Sequence, residues 1–302
     1  MRVVITGGSG LVGRALAAEL AGAGHEVGVT SRSPGSAGEL PAGVEMAEWD
    51  TASASQLAEL IEGVDAVVHL TGEGIADGRW TEERKRRIRD SRVRSTAAVA
   101  EALAAADSRP AVLVQASGID YYGARGDEEV TEASPPGEGF LPEVCVAWEE
   151  AGAAAEELGV RRIIARTGVV LSTDGGALPE MVLPFKLFAG GPVAGGSQWM
   201  SWIHLEDEVG AIRFLLEEPA VSGPYNLVAP RPVRNRDFGR ALGRALHRPS
   251  LLPVPGLALK VLYGEMASLL IDGRRALPRR LLEAGYTFRH PDVAEALVDL
   301  LR

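Results

Sequence analysis

The run Thr6-Gly7-Gly8-Ser9-Gly10-Leu11-Val12-Gly13 constrains the fold more than any other stretch of this chain. An apolar segment, Arg2 to Thr6, precedes it and reads as a buried strand. Val12, Leu16 and Leu20 follow at i, i+4 and i+8, on one face of a helix. His25 to Thr30 reads as a second strand, which closes a βαβ unit of ordinary length. Gly7, Gly10 and Gly13 permit a tight turn, close backbone approach to a pyrophosphate and close helix–strand packing. The phosphates of a dinucleotide then sit on the positive end of the helix. Glycine spacing alone is weak evidence, but the strand before it and the amphipathic helix after it are the confirming context.

The residues ending the second strand bear on which dinucleotide. An NAD site usually has Asp or Glu there, reading the ribose hydroxyls. This chain has Thr30, Ser31 and Arg32. A hydroxyl and a guanidinium suit a 2′-phosphate, so NADP(H) is the expected cofactor. The bland alternative for Arg32 is a solvated surface arginine, because 28 of the 31 basic residues are arginine. Asp50 either contacts the adenine or caps the helix beginning near Ala54.

Further strands are expected at Val44–Trp49, Ala66–Leu70, Val112–Ala116, Arg162–Ala165 with Gly168–Leu171, and Tyr225–Val228. Helices fall between them at Ala54–Glu62, Glu82–Ala105 and Glu143–Leu158. That alternation predicts an α/β fold, a doubly wound parallel sheet with helices on both faces. From about residue 231 helical segments dominate: Arg236–Leu246, Leu257–Ile271, Pro278–Ala284 and Asp292–Leu301. The stretch Asp174–Gln198 is rich in Gly and Pro and reads as a loop-rich insertion. The expected division is a Rossmann-like dinucleotide domain from 1–172 and 202–230, with a smaller, mainly helical substrate lobe from 173–201 and 231–302.

Composition excludes several classes. Net charge is −10, which argues against a general nucleic-acid binder. The basic run Glu82–Arg94 is short, mixed in sign and without interleaved aromatics, so it reads either as a solvated helix face or as a helix with part of it facing the phosphates of NADP. No apolar run reaches 18 residues; Leu257 to Ile271 is interrupted by Lys260 and Glu265. The start runs directly into the glycine loop and does not read as a signal peptide. A cytoplasmic protein is expected. A single cysteine, Cys145, forbids an internal disulfide, and His25, His69, His204, His247 and His290 show no metal-ligand spacing, so no metal is expected. His69 and His204 read as structural, and Asp207 as the cap of a helix at Val209–Glu217. Trp80, Trp199, Met200 and Trp202 read either as a pocket lining or as interdomain packing.

TGGSGLVG (6–13), VVHLTGE (67–73), SGIDYYG (117–123), RTGVVL (166–171) and WIHLEDEVGA (202–211) together resemble the extended short-chain dehydrogenases/reductases. The segments at 72–96 and 190–212, and the run from LLPVPGLAL to YTFRHPD, resemble its atypical epimerase/dehydratase-like "epimerase family protein" subgroup. The resemblance covers nearly the whole chain. It implies that Gly7, Gly10, Leu11, Val12 and Gly13 line the pyrophosphate and that Ser31 and Arg32 hold the 2′-phosphate. Leu70 and Thr71 then pass under the adenosine ribose. Arg92 points to the phosphates or the cleft, and Arg166 sits near the nicotinamide; the bland reading of either arginine is a salt bridge. Dimerisation is common in the superfamily.

The resemblance fails at one place. Active members place Tyr and Lys as YxxxK on one helical face, where the tyrosine moves the substrate proton. This chain has no YxxxK, and no lysine between Lys85 and Lys186. Leu141 and Cys145 stand at the two positions. Ser117, ending the fifth strand, is expected to hold a substrate oxygen, and Tyr121 or Tyr122 to supply the proton, unless these tyrosines only pack the pocket. Cys145, alone on an apolar helical face, reads as a small buried hydrophobe rather than a nucleophile. Two functions remain open: an NADP(H)-dependent oxidoreductase or epimerase-like enzyme acting on a small polar substrate, or a non-catalytic NADP(H)-binding regulatory or redox-sensing protein.

Overall fold

The computed structural model describes residues 1–36 and 40–302. The first half alternates as expected: β1 (Arg2–Thr6), α1 (Leu11–Gly22), β2 (Glu26–Ser31), β3 (Val44–Glu48), α2 (Ala54–Ile61), β4 (Ala66–His69), α3 (Glu82–Ala105) and β5 (Val112–Gly118). Then come β6 (Glu129–Val130), α4 (Phe140–Ala151), α5 (Ala154–Glu157), β7 (Arg161–Thr167), β8 (Val169–Leu171), α6 (Ala177–Lys186), β9 (Trp199–Met200), β10 (Trp202–His204), α7 (Leu205–Glu217) and β11 (Gly223–Leu227). The C-terminal part holds β12 (Val233–Arg234), α8 (Asn235–Leu246), α9 (Gly256–Tyr263), α10 (Ser268–Ile271), β13 (Arg275–Ala276), α11 (Arg279–Glu283) and α12 (Val293–Leu301).

Seven strands form one sheet in the order β11-β7-β5-β4-β1-β2-β3, every neighbouring pair parallel. This is the doubly wound, Rossmann-like arrangement. The chain order reverses between β1 and β4, which opens a crevice at the carboxyl ends of the strands. Val3, Ile5, Val68, Val114 and Ile163 pack on one face against Leu16 and Leu20 of α1 and Ile212 of α7. Val4, Val67 and Leu113 pack on the other against α2 and α3. A separate core joins Leu178, Val182 and Phe185 to Trp202, Phe238, Leu242 and Leu297 in the mainly helical C-terminal region.

His69 shows how β4 is pinned. It is fully buried, with Nδ1 2.6 Å from Thr6 Oγ1 and Nε2 3.0 Å from Thr96 Oγ1. Burial lowers its pKa to about 3, so the ring is neutral and structural.

Four local expectations need correction. The segments expected together at 162–165 and 168–171 fall in different sheets, β7 in the seven-stranded sheet and β8 with β10, on either side of Gly168. A Cβ there would lie 2.7 Å from Val228 Cγ1 and 2.8 Å from Ser201 O. The Asp174–Gln198 stretch contains α6, which buries Leu178, Val182 and Phe185 despite its prolines. Leu257–Ile271 is broken by Gly264, whose φ of 62° ends α9. Asp207 does not cap α7; His204 does, its Nδ1 accepting from Glu206 N at 3.1 Å. The Asp207 carboxylate instead accepts from the amides of Arg289 and His290, both at 2.8 Å, and anchors the C-terminal segment.

Candidate cofactor and substrate cleft

The glycine loop is packed so tightly that side chains would not fit. A Cβ on Gly13 would lie 2.5 Å from Gly7 O and 2.7 Å from Gly8 Cα. One on Gly7, whose φ is 75°, would meet Leu70 C and Thr71 N at 3.0 Å. The loop therefore lies directly on the end of β4, which brings Gly7 against Leu70 and Thr71. Gly10 N-caps α1 without a side-chain cap, so the first-turn amides of Leu11 and Val12 have no intrahelical acceptor. The turn after β8 lies over this helix start, with the Cβ position of Gly176 3.2 Å from Leu11 Cδ2. Thr71 Oγ1 is buried and has no hydrogen-bond partner among the described residues.

Thr30 pairs with Thr6 in the β1–β2 register, which puts Ser31 and Arg32 beside the glycine loop. Arg32 is exposed and makes no ion pair among the described residues. Ser31 Oγ accepts from Ser33 N at 3.2 Å. Asp50 does not cap α2, whose N-cap is Ser53, accepting from Gln56 N at 3.2 Å; Asp50 instead accepts from the amides of Ala52 and Ser53, at 2.8 and 2.7 Å, in the turn before the helix. Arg92 lies against Gly72, just past Thr71, donating from Nη1 to Glu73 O at 2.9 Å and Ile88 O at 3.0 Å. Its guanidinium covers the Trp148 ring at 5.0 Å.

Arg166 takes the salt-bridge alternative. It is 4% exposed, and its donors are committed inside the protein. Nε and Nη2 grip both oxygens of Glu149, at 2.8 and 2.7 Å, and Nη1 donates to Tyr122 Oη at 3.0 Å. Tyr122 departs from its expected role as a proton donor. It is fully buried, its hydroxyl donates to Asn226 Oδ1 at 2.7 Å, and burial pushes its pKa up to about 12. The Tyr121 ring stacks on the Arg166 guanidinium at 3.5 Å and is part-exposed.

Ser117 is 6% exposed at the end of β5 and donates to Glu149 Oε1 at 2.6 Å. Sequence reasoning missed Glu149. It follows Cys145 by one helical turn on α4, and only its helix spacing hinted that it shares that face. Leu141 borders the cleft and Cys145 is buried, its thiol pushed up to about 12 by burial, then by Asp120 and Glu149. Neither performs the proton transfer expected of Tyr and Lys.

A cavity of about 530 Å³ lies between the start of α4, the turn after β5 and the α9–α10 segment. Trp80, Asp120, Phe140, Leu141, Lys260 and Arg274 are among its walls. Asp120 and Arg274 are ion-paired across it. Of the aromatic group, Trp80 lines this cavity and meets Phe140 edge-on at 5.1 Å. Trp199 instead lies between Arg234 and Arg275, Trp202 is in the C-terminal core, and Met200 is buried beside it.

The structure also gathers His204, His290 and Asp299, which sequence spacing left apart. Their donor chemistry does not suit a cation. His204 Nδ1 accepts the capping hydrogen bond, so its neutral ring carries the proton on Nε2, the atom facing Asp299 at 3.4 Å. A ligating nitrogen needs that lone pair, and its ring partner normally donates.

The profile of the NAD dependent epimerase/dehydratase family matches residues 3–228, and that of a domain of unknown function, DUF1731, matches residues 254–300. The chain is 42% identical over 297 residues to epimerase family protein Mb2239 of Mycobacterium bovis, covering 98% of this chain and 96% of that one. It is 37% identical to YfhF of Bacillus subtilis, over 100% and 98% of the two chains. Its fold superposes on a crystal structure of human epimerase family protein SDR39U1 with NADPH at a TM-score of 0.91, 34% identity, and 100% and 99% coverage. The chain belongs to the NAD dependent epimerase/dehydratase family.

Proposed function

We propose that this chain binds NADP(H) in the crevice above β1, β2 and β4, and acts as an oxidoreductase or epimerase-like enzyme on a small polar molecule held in the neighbouring cavity. The observation that carries the cofactor assignment is the fit of the groove: a cradle no side chain could share and, among the described residues, a Thr71 hydroxyl without a hydrogen-bond partner and an Arg32 at its edge without an ion pair. Gly7, Gly10, Leu11, Val12 and Gly13 would hold the pyrophosphate, Ser31 and Arg32 the 2′-phosphate, and Leu70 and Thr71 the ribose. The NADPH held by the human relative supports the same reading. The proposed cofactor lobe is 1–172 with 202–230, and the substrate lobe 173–201 with 231–302. A cytoplasmic setting belongs to this proposal; no helix among the described residues is long and apolar enough to cross a membrane.

When bound, NADP(H) supplies hydride exchange with a substrate carbon. The protein then has to orient an oxygen and move a proton. Ser117 gives its own hydrogen to Glu149, so its oxygen lone pairs remain free to accept from a substrate hydroxyl. Tyr121, part-exposed where Tyr122 is buried, is the tyrosine proposed as donor. Asp120, on the same turn, is one of the carboxylates lining the cavity and, paired with Arg274, is the one nearest in sequence to Ser117 and Tyr121 that could exchange a proton there.

A second reading is favoured by one observation. Leu141 and Cys145 replace the usual proton-transfer pair, and Tyr122 and Arg166 are closed into an internal network. A non-catalytic NADP(H)-binding regulatory or redox-sensing protein fits that arrangement.

Titration with NADPH and NADH, followed by fluorescence, tests the cofactor assignment. Bound NADPH is then challenged with carbonyl compounds and sugar nucleotides. Tighter NADPH binding with oxidation by one compound class supports the enzyme. NADPH binding without oxidation by any class favours the second reading, and no preference for NADPH overturns the assignment.

A further inference from the structure

The strand ends carry a second hydroxyl held by a buried glutamate. Thr167, the last residue of β7, donates from Oγ1 to Glu208 Oε1 at 2.7 Å, much as Ser117 of β5 donates to Glu149 Oε1 at 2.6 Å. The two strands are neighbours, and Thr167 pairs in register with Gly118, the residue after Ser117. Side chains alternate along a strand, so the two hydroxyls lie on opposite faces of the sheet. Glu149 reaches Ser117 from α4, and Glu208 reaches Thr167 from the first turn of α7. Glu208 shares its helix face with Ala211, Ile212 and Leu215, which are core residues. It is fully buried, and its Oε2 has no partner among the described residues. An apolar side chain would serve packing better at such a place. The hydrogen bond this carboxyl makes is the one that fixes Thr167.

We infer that Thr167 is the acceptor for the carboxamide N–H of the nicotinamide, with Glu208 as its positioning residue; this rests on the NADP(H) reading above. The Thr167 hydrogen is committed to Glu208, so the oxygen lone pairs are left to accept from a donor outside the protein. A carboxamide supplies such a donor. The place is set by the rest of the groove. Arg32 at the end of β2 takes the 2′-phosphate, and the glycine loop between β1 and α1 takes the pyrophosphate. The pyrophosphate is the middle of a dinucleotide, so the nicotinamide half runs the other way, past β4 and over β5 and β7. In the sheet order β7 lies two strand spacings beyond β4, about 10 Å. Residues 167–170, where the chain leaves β7, are part-exposed there. The two hydroxyls then divide the work: Thr167 fixes the ring, and Ser117 takes the substrate oxygen.

Calorimetric titration of the full chain with three probes tests this. They are NADP+, its acetylpyridine analogue, whose acetyl group lacks the N–H, and 2′,5′-ADP, which lacks the nicotinamide half. The wild type is expected to bind NADP+ about 3- to 10-fold more tightly than the analogue, the size of one hydrogen bond. Thr167→Val keeps the shape and removes the hydroxyl. It is expected to weaken NADP+ by the same factor, to leave the analogue and 2′,5′-ADP unchanged, and so to erase the discrimination. Thr167→Ser is expected to restore it. Thr167→Val strands Glu208; where this costs the fold, seen as loss of 2′,5′-ADP binding, Thr167→Val/Glu208→Leu removes both partners and is read by the same comparison. NADP+ affinity unchanged by the loss of the hydroxyl overturns the inference. So does equal weakening of NADP+ and the analogue, which a merely structural role would give. A wild type that binds 2′,5′-ADP but treats NADP+ and the analogue alike overturns this inference alone. One that binds none of the three overturns the cofactor reading and this inference with it.

Discussion

Ser117 Oγ donates to Glu149 Oε1 across 2.6 Å, although the two residues are 32 positions apart. Beneath them Ser117 pairs in register with Arg166 on the adjacent strand, and Arg166 holds both Glu149 oxygens. The chain continues through Tyr122 to Asn226, whose amide donates to Leu277 O. One buried polar chain thus links the end of β5 to the C-terminal region. Its acid and base are both desolvated, so neither can be removed alone without stranding the other.

Glu149→Ala is therefore expected to destabilise the protein by about 3–5 kcal/mol, the usual effect of orphaning a buried charge. Urea unfolding measures it. Glu149→Gln, which keeps an acceptor for Ser117, is expected to lose less. A loss below about 1 kcal/mol for the alanine variant contradicts the paired geometry.

Arg32→Ala is expected to weaken NADPH binding by about 10- to 100-fold, in line with roughly 1.5–3 kcal/mol for hydrogen bonds to a charged group. NADH binding should change little, since it lacks the 2′-phosphate. Parallel fluorescence titrations decide it; equal losses for both nucleotides remove Arg32 from the 2′-phosphate.

Gly13→Ala is expected to abolish NADPH binding at concentrations that saturate the wild type. The new Cβ would sit 2.5 Å from Gly7 O, so the loop must shift off the start of α1. Calorimetric titration checks this, with unfolding curves to separate a lost site from a lost fold. Unchanged affinity would mean that the loop yields without harm.

The parts legible in the sequence are those whose determinants are local. The glycine loop is one. The long α3 is another, with Thr81 capping Arg84 N and acids in its first turn. Glu149 was hidden because an acid beside Glu150 on a helix looks like a solvent face; only the neighbouring strands make it internal. The His204–His290 stack was invisible for the same reason, the two rings being brought to 3.8 Å by the C-terminal segment. The helix at 177–186 was masked by its flanking glycines and Pro184. Leu141 and Cys145 were legible as the missing pair, but not the internal use of Tyr122 and Arg166, which depends on the packing of β7 against α4.

Stability should also carry a pH signature from Glu208. This residue is fully buried in α7, accepts from Thr167 Oγ1 at 2.7 Å, and leaves Oε2 without a partner. Burial raises its pKa from 4.5 to about 8. The folded state thus binds a proton that the unfolded state releases above about 4.5. Its contribution is fully present below that value, declines through the interval and is lost above about 8. The slope is at most about 1.4 kcal/mol per pH unit. Glu208→Gln keeps an acceptor for Thr167 and cannot ionise. Its unfolding free energy should therefore fall less steeply than that of the wild type between about pH 5 and pH 8, when urea midpoints are compared. Parallel curves for the two proteins would show that Glu208 is already ionised in the folded chain.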